Sequence, residues 1–141
     1  MPEPSDINPD INAILECLDD PAILLSPDYR ILHSNSAYQD LYGDALSLRS
    51  RHCYEVSHRY QVPCDQAGES CPIARCRESG QPSRVLHVHY TARGPRHEEV
   101  TTHPLPGESG AGPSFLEVLR PAEMASARPS DQGLVGHSPA F

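Results

Sequence analysis

The sequence predicts an α+β domain with a five-stranded antiparallel sheet. Three observations lead to this expectation: an amphipathic stretch near the N-terminus, two short apolar runs joined by a tight turn, and three strand-like runs after a polar middle segment. Short helices are expected in the middle segment, between the second and third strands. Consecutive strands with short connectors pair antiparallel, and 141 residues suit a single domain.

The N-terminal helix is predicted from its cap and its periodicity. Asn8-Pro9 supplies a capping residue and a proline at the first helical position. Apolar residues then recur near every 3.6 positions until Asp19-Asp20-Pro21 ends the helix. This apolar stripe consists of Ile7, Ile11, Ile14, Leu15 and Leu18.

A hairpin and a short helix are predicted next. Residues 22–25 and 31–33 form the two strands, and Ser26-Pro27-Asp28 between them favours a tight turn. Ser36 to Gln39 has the spacing of a capping box, and Gly43 is a suitable residue to follow the helix.

The last three strands are predicted at 84–90, 98–103 and 115–119. His87 and His89 share one face of the first of these strands. We expect that face to be polar and exposed to solvent, with the core lined by Leu86, Val88, Tyr90 and Val100. The alternative is a metal or haem site on the sheet, to which His97 and His103 of the next strand would contribute.

Composition and charge exclude several classes of protein. The chain has 11 basic residues, all of them Arg, against 19 acidic ones, for a net charge of -8. The acidic balance argues against binding to nucleic acid, and the lack of Lys excludes Schiff-base and P-loop chemistry. No apolar run approaches a membrane span, and the acidic start is unlike a signal peptide, so we expect a cytoplasmic protein with no membrane partner.

The order of the elements and two motifs resemble the PAS family. Pro21 to Leu25 leads into Ile31 to Asn35, and Ser36-Ala37-Tyr38 then continues to Leu41-Tyr42-Gly43. Cys53-Tyr54, His58, Pro63-Cys64 and Cys71-Pro72 are similar to a Cys-rich PAS subgroup of bacterial signalling proteins, which includes transcriptional activators and histidine kinases.

The resemblance covers residues 8–120 and implies a non-enzymatic sensory domain, often dimeric, that passes a signal to an output domain. The 141 residues contain no Walker loop or kinase motif, so the output is expected in trans or in a longer chain. Residues 1–7 are predicted to be a disordered N-terminus, and 121–141 a disordered tail or linker, because they lack periodicity.

Four cysteines of the middle segment are the candidate sensory residues. Cys53, Cys64, Cys71 and Cys76 are separated by ten, six and four residues, a density unusual for core filler in a reducing compartment. Four thiolates can hold zinc or an iron–sulfur cluster, and His58 can take the place of Cys76.

A switchable disulfide is the other possible chemistry. Cys71 directly precedes Pro72, the predicted first residue of a helix, where the helix dipole favours a thiolate. The loop back to Cys64 makes a reversible Cys64–Cys71 disulfide plausible. The domain would then sense redox state, oxygen or metal. The alternative function is a small-molecule-binding or dimerising module with inert cysteines.

Homodimerisation is predicted from uncovered apolar surface. The last strand is apolar on both faces, because Phe115 and Leu119 alternate with Leu116 and Val118. The stripe of the N-terminal helix can cover the outer face, either within one chain or from a second copy.

Overall fold

The computed structural model describes residues 10–106 and 112–122. The helices are α1 (Ile11–Glu16), α2 (Ser36–Tyr42), α3 (Ala45–Leu48), α4 (Cys53–Ser57) and α5 (Pro72–Ser79), and a 3₁₀ turn spans Cys64–Gln66. The strands are β1 (Ala22–Leu25), β2 (Ile31–Ser34), β3 (Ser83–Thr91), β4 (Gly94–Leu105) and β5 (Ser114–Pro121). All pairings are antiparallel, in the order β2-β1-β5-β4-β3. The predicted fold class is confirmed.

The N-terminal helix begins at Ile11. Asp10 caps it, and the Asp10 carboxylate accepts a hydrogen bond from the amide of Asn12 at 2.9 Å. The predicted cap at Asn8-Pro9 lies outside the described residues, as do residues 1–7 and most of the predicted tail. Among the described residues, no helix has the length and apolar character needed to cross a membrane.

Asn35 joins three elements at the edge of the sheet. It caps α2 in place of the predicted Ser36, because its Oδ1 accepts hydrogen bonds from the amides of Tyr38 at 3.0 Å and Ala22 at 2.9 Å. Its Nδ2 donates to three carbonyl groups: that of Leu15 in α1, and those of Leu18 and Asp20, which follow the helix. The side chain is buried, so these contacts fix the ends of α1, β1 and α2 together.

The predicted orientation of β3 is wrong. His87 and His89 are 1% and 2% exposed on the inner face, whereas Tyr90 on the outer face is 42% exposed. The register explains this orientation, because Val85 lies opposite the buried Val100, and His87 lies opposite the buried Glu98. The inner face of β3 is therefore the one with fewer apolar residues.

The other two histidines of the predicted sheet site lie on the opposite face. His97 is paired with Val88, one of the outward-facing residues of β3, and is exposed. His103 shares that face because it lies six residues further along β4. A site formed by His87, His89, His97 and His103 together is therefore not present.

Strand β5 and helix α1 leave apolar surface partly uncovered. Phe115 and Leu119 are fully buried on the inner face, and Leu116 and Val118 are half-buried on the outer face. Helix α1 packs against β2. Within its stripe Leu15 is buried, whereas three others are 42%, 49% and 38% exposed: Ile11, Ile14 and Leu18.

Candidate sensory site

A small cavity lies between the inner face of the sheet and the cysteine-rich segment. Its volume is about 10 Å³, roughly the room needed by one water molecule or one ion. Three thiols, three imidazoles and one carboxyl group are among its lining side chains: Cys53, Cys64, Cys71, His58, His87, His89 and Glu117. All seven side chains are buried.

Cys64 and Cys71 are electrostatically coupled thiols of this cavity. Both are buried free thiols that line it, and each affects the pKa of the other. Cys64 begins the 3₁₀ turn, and Cys71 is the N-cap of α5, which places its sulfur beside the amides of Ile73 and Ala74. The two residues come together because the intervening loop turns back onto the helix.

The environment favours a thiolate on Cys71. The hydrogen bond from the Cys64 thiol lowers the pKa of Cys71, and the two helix amides lower it further, against the opposing effect of burial. The same hydrogen bond, together with burial, raises the pKa of Cys64. Of the two thiols, Cys71 is therefore the one that loses its proton more readily.

The other two predicted cysteines occupy different places. Cys53 begins α4 and lines the cavity, and burial raises its pKa, with further contributions from Glu117 and Cys71. Cys76 is completely buried in α5 but is not among the residues that line the cavity, and burial alone raises its pKa. The structure thus gathers three of the four predicted thiols, with His58, around one cavity.

Three histidines meet at the opposite side of the cavity. His58 ends α4, and its Nε2 lies 3.1 Å from Nδ1 of His87. One ring nitrogen from each of His58, His87 and His89 lies within 4.8 Å of the other two. Sequence reasoning found His58 but assigned His87 and His89 to the wet face. The local pattern gave no signal for this placement, because the opposite face of β3 carries more apolar residues.

Burial disfavours the charged form of His58 and His89. Burial lowers the pKa of His58 to about 2, with smaller contributions from His89 and His87. Burial likewise lowers the pKa of His89 well below its usual value. His89 is held by Glu98, whose Oε1 lies 2.9 Å from His89 Nδ1 and also accepts a hydrogen bond from the Tyr42 hydroxyl.

A family model for the PAS fold matches residues 15–125. The chain belongs to the PAS family. None of the curated proteins compared with the chain matches it. Solved structures similar to this PAS domain include a LOV protein of Rhodobacter sphaeroides, with 16% identity and a TM-score of 0.61, aligned over 79% of this chain and 64% of that one.

Two further structures have the same fold. The PAS domain of nitrogen regulation protein NR(II) from Vibrio parahaemolyticus is 16% identical, with a TM-score of 0.59, over 81% of this chain and 99% of that one. VqmA of Vibrio cholerae is 18% identical, with a TM-score of 0.60, over 77% of this chain and 50% of that one. This PAS domain thus spans less than two thirds of the LOV protein and half of VqmA. At these identities the likeness concerns the fold.

A buried carboxyl group makes the stability of this PAS domain depend on pH. Burial, with smaller contributions from Cys71 and Glu98, raises the pKa of Glu117 from 4.5 to about 8. The folded domain therefore keeps a proton that the unfolded chain releases above pH 4.5. This stabilising contribution is complete below pH 4.5 and is lost as the pH rises to about 8.

We expect Glu117→Gln to remove this loss, because glutamine is isosteric with the protonated acid. Relative to the wild type, the free energy of unfolding of the variant should increase by several kcal/mol as the pH rises from 5 to 8. Urea unfolding of both proteins, free of metal, at the two pH values measures the difference. An equal free-energy difference at both pH values would show that Glu117 is ionised in the fold.

Proposed function

We propose that this PAS domain is a redox sensor whose signal is a reversible disulfide between Cys64 and Cys71. The observation that carries the proposal is that these two free thiols are buried and line the same small cavity. A lowered pKa on Cys71 supports its role as the nucleophile. A cytoplasmic setting is consistent with the proposal, because cytosolic thiols are kept reduced until an oxidant appears.

The oxidant that fits this chemistry is a peroxide. The Cys71 thiolate attacks one oxygen, the O–O bond breaks, and Cys71 becomes a sulfenic acid while the other oxygen leaves as an alcohol or water. The sulfur of Cys64 then attacks that of Cys71, the S–S bond forms, and water leaves. Two electrons pass from the two thiols to the peroxide, and a dithiol returns them by thiol–disulfide exchange.

Ser70 connects the thiol pair to the sheet. It directly precedes Cys71, and its carbonyl oxygen accepts a hydrogen bond from Nε2 of His87 at 2.7 Å. A disulfide draws the two sulfurs to about 2.05 Å, which moves the backbone around Cys71. We propose that this movement changes the Ser70–His87 hydrogen bond and so reaches β3.

A metal centre on four cysteines is the less favoured of the predicted sites. Cys76 lies away from the cavity, and a cavity of about 10 Å³ has room for one ion but not for a cluster of iron and sulfur atoms. The same small volume disfavours an organic ligand at this place, because ligand pockets usually exceed about 300 Å³. Anaerobic purification with bound iron and acid-labile sulfide would contradict the disulfide proposal.

The disulfide is tested by peptide mapping. Trypsin cuts after Arg59, Arg75 and Arg77, so Cys64 and Cys71 fall within the single peptide 60–75, whereas Cys53 and Cys76 fall in others. After mild peroxide treatment of the folded protein and alkylation, we expect peptide 60–75 to be unalkylated and two hydrogens lighter. Dithiothreitol should restore two alkylation sites.

Matched variants control this experiment. Cys71→Ser and Cys64→Ser should abolish the lighter peptide, whereas Cys76→Ser, which removes a buried thiol outside the cavity, should leave it unchanged. A wild-type peptide 60–75 that stays fully alkylated after treatment would refute the switch. So would a crosslink between the peptides that contain Cys53 and Cys76.

We also propose that the domain acts as a homodimer through α1 and the outer face of the sheet and signals to an output domain in cis or in trans. The support is the apolar surface of α1, where Ile11 and Ile14 are 42% and 49% exposed.

We expect Ile14→Glu to weaken dimerisation at least ~10-fold, since it places a charge in an apolar contact. Sedimentation equilibrium measures this, with Leu46→Glu on α3 as the control.

A wild-type protein that stays monomeric at every concentration would contradict the dimer. An equal effect of Leu46→Glu, which alters a side chain 85% exposed elsewhere on the surface, would contradict the role of α1.

A further inference from the structure

We infer that His58, His87 and His89 form a binding site for one divalent transition-metal ion of the zinc type. The three side chains come from separate parts of the fold, the end of α4 and two positions of β3, and all are buried. The site uses none of the thiols of the proposed redox switch, although those thiols line the same cavity. The two proposals share the Ser70–His87 hydrogen bond but have different ligands and separate tests.

Two of the three histidines have a hydrogen-bond partner for the ring nitrogen that faces away from the others. Nε2 of His87 donates to the Ser70 carbonyl at 2.7 Å, which leaves the lone pair of Nδ1 as a ligand. Nδ1 of His89 donates to Glu98 Oε1 at 2.9 Å, which leaves the lone pair of Nε2. Histidines that bind metals are held in this way, with the second nitrogen donating to a carboxylate or carbonyl. Nδ1 of His58 lies 3.6 Å from Glu69 Oε2, which is longer than a hydrogen bond.

The distances between the ring nitrogens suit a single ion. Two nitrogens bound to zinc at about 2.0–2.1 Å in a tetrahedron are roughly 3.4 Å apart. His58 Nε2 and His87 Nδ1 are 3.1 Å apart in a hydrogen bond that a bound ion would replace, and a nitrogen of His89 lies within 4.8 Å of both. Small side-chain movements would therefore give three ligands and leave the fourth position facing the cavity, which has a volume of about 10 Å³.

Charge and protonation at the site also suit a cation. Metal ions bind the lone pair of an imidazole nitrogen, and each of the three rings places one nitrogen near the other two. Two buried carboxyl groups, those of Glu98 and Glu117, lie on the same inner face. They can balance the charge of a divalent ion, since a nearby cation favours their ionised form.

Zinc K-edge X-ray absorption of the wild-type protein tests the site without substitution. Reduced protein is loaded with one equivalent of Zn²⁺ and separated from free metal. We expect a first shell of nitrogen and oxygen atoms at about 2.0–2.1 Å, with imidazole scattering and no sulfur at about 2.3 Å. Failure to retain Zn²⁺, or a first shell that contains sulfur, would overturn the inference.

Substitutions separate this site from the redox switch. His89→Gln and His87→Gln are expected to weaken Co²⁺ affinity at least ~100-fold, as judged from the visible spectrum of bound Co²⁺. The matched control His97→Gln, on the outer face of β4, should leave the affinity unchanged, as should the double variant Cys64→Ser/Cys71→Ser. Full affinity in the His89 variant, or its loss in the double cysteine variant, would overturn the inference. If the histidine variants do not fold, the zinc X-ray absorption spectrum of the wild-type protein tests the site without them.

Discussion

Replacement of Asn35 by alanine is expected to lower the free energy of unfolding by about 4 kcal/mol. The substitution removes the cap of α2, worth about 1 kcal/mol, and leaves buried amide and carbonyl groups of α1, β1 and α2 without partners, at about 1–3 kcal/mol each. Because the chain contains no tryptophan, far-UV circular dichroism during urea unfolding is the suitable measurement.

Two further variants show which contacts matter. Asn35→Asp keeps the acceptor for the amides of Tyr38 and Ala22 but loses the donors to the end of α1, so we expect an intermediate loss. Ser36→Ala removes only a partly exposed hydrogen bond to Glu16 and should cost less than about 1 kcal/mol. Similar losses for Asn35→Ala and Ser36→Ala would contradict the central position of Asn35.

Glu98→Ala is expected to destabilise the domain by about 3–5 kcal/mol, because it breaks a fully buried charged network. Oε1 of Glu98 accepts from the hydroxyl of Tyr42 and lies 2.9 Å from Nδ1 of His89. Oε2 lies 3.2 Å from Nε of Arg96, an ion pair without a hydrogen bond. Removal of the carboxylate leaves the buried His89 and the partly buried Tyr42 and Arg96 without this partner. Urea unfolding measures the loss.

The control for this prediction is Glu78→Ala, which removes an exposed carboxylate of α5 and should change stability by less than about 0.5 kcal/mol. Tyr42→Phe should cost about 1–3 kcal/mol, because it leaves Glu98 with one hydrogen-bond donor fewer. A Glu98→Ala variant as stable as Glu78→Ala would show that the network does not stabilise the fold.

Local sequence signals predicted the elements of the fold well. The hairpin of β1 and β2 follows from the Ser26-Pro27-Asp28 turn, and α5 follows from Pro72 at its first position. The meander of the last three strands follows from their short connectors. The short helix α3 was not predicted, since its four residues carry no periodicity and Asp44 is its only local signal.

The inner face of β3 could not be predicted from apolar alternation. Both faces of this strand carry apolar residues, so the choice depends on long-range register and on buried polar partners such as Glu98 for His89. The same limit applies to the site. The loop between Cys64 and Cys71 predicted that both would lie in one region, and both line the cavity, whereas the meeting of His58 with His87 depends on how α4 packs against the sheet.

The most direct test of the sensor account is a redox titration of the folded domain followed at the same time by peptide mass and by ¹⁵N NMR. We expect peptide 60–75 to lose two hydrogens in one two-electron transition, and the amide signals of Ser70, Cys71 and His87 to change with the same midpoint. A disulfide that forms while the signals of β3 stay unchanged would contradict transmission to the sheet. Spectra that change while Cys64 and Cys71 remain free thiols would contradict the thiol pair as the sensor.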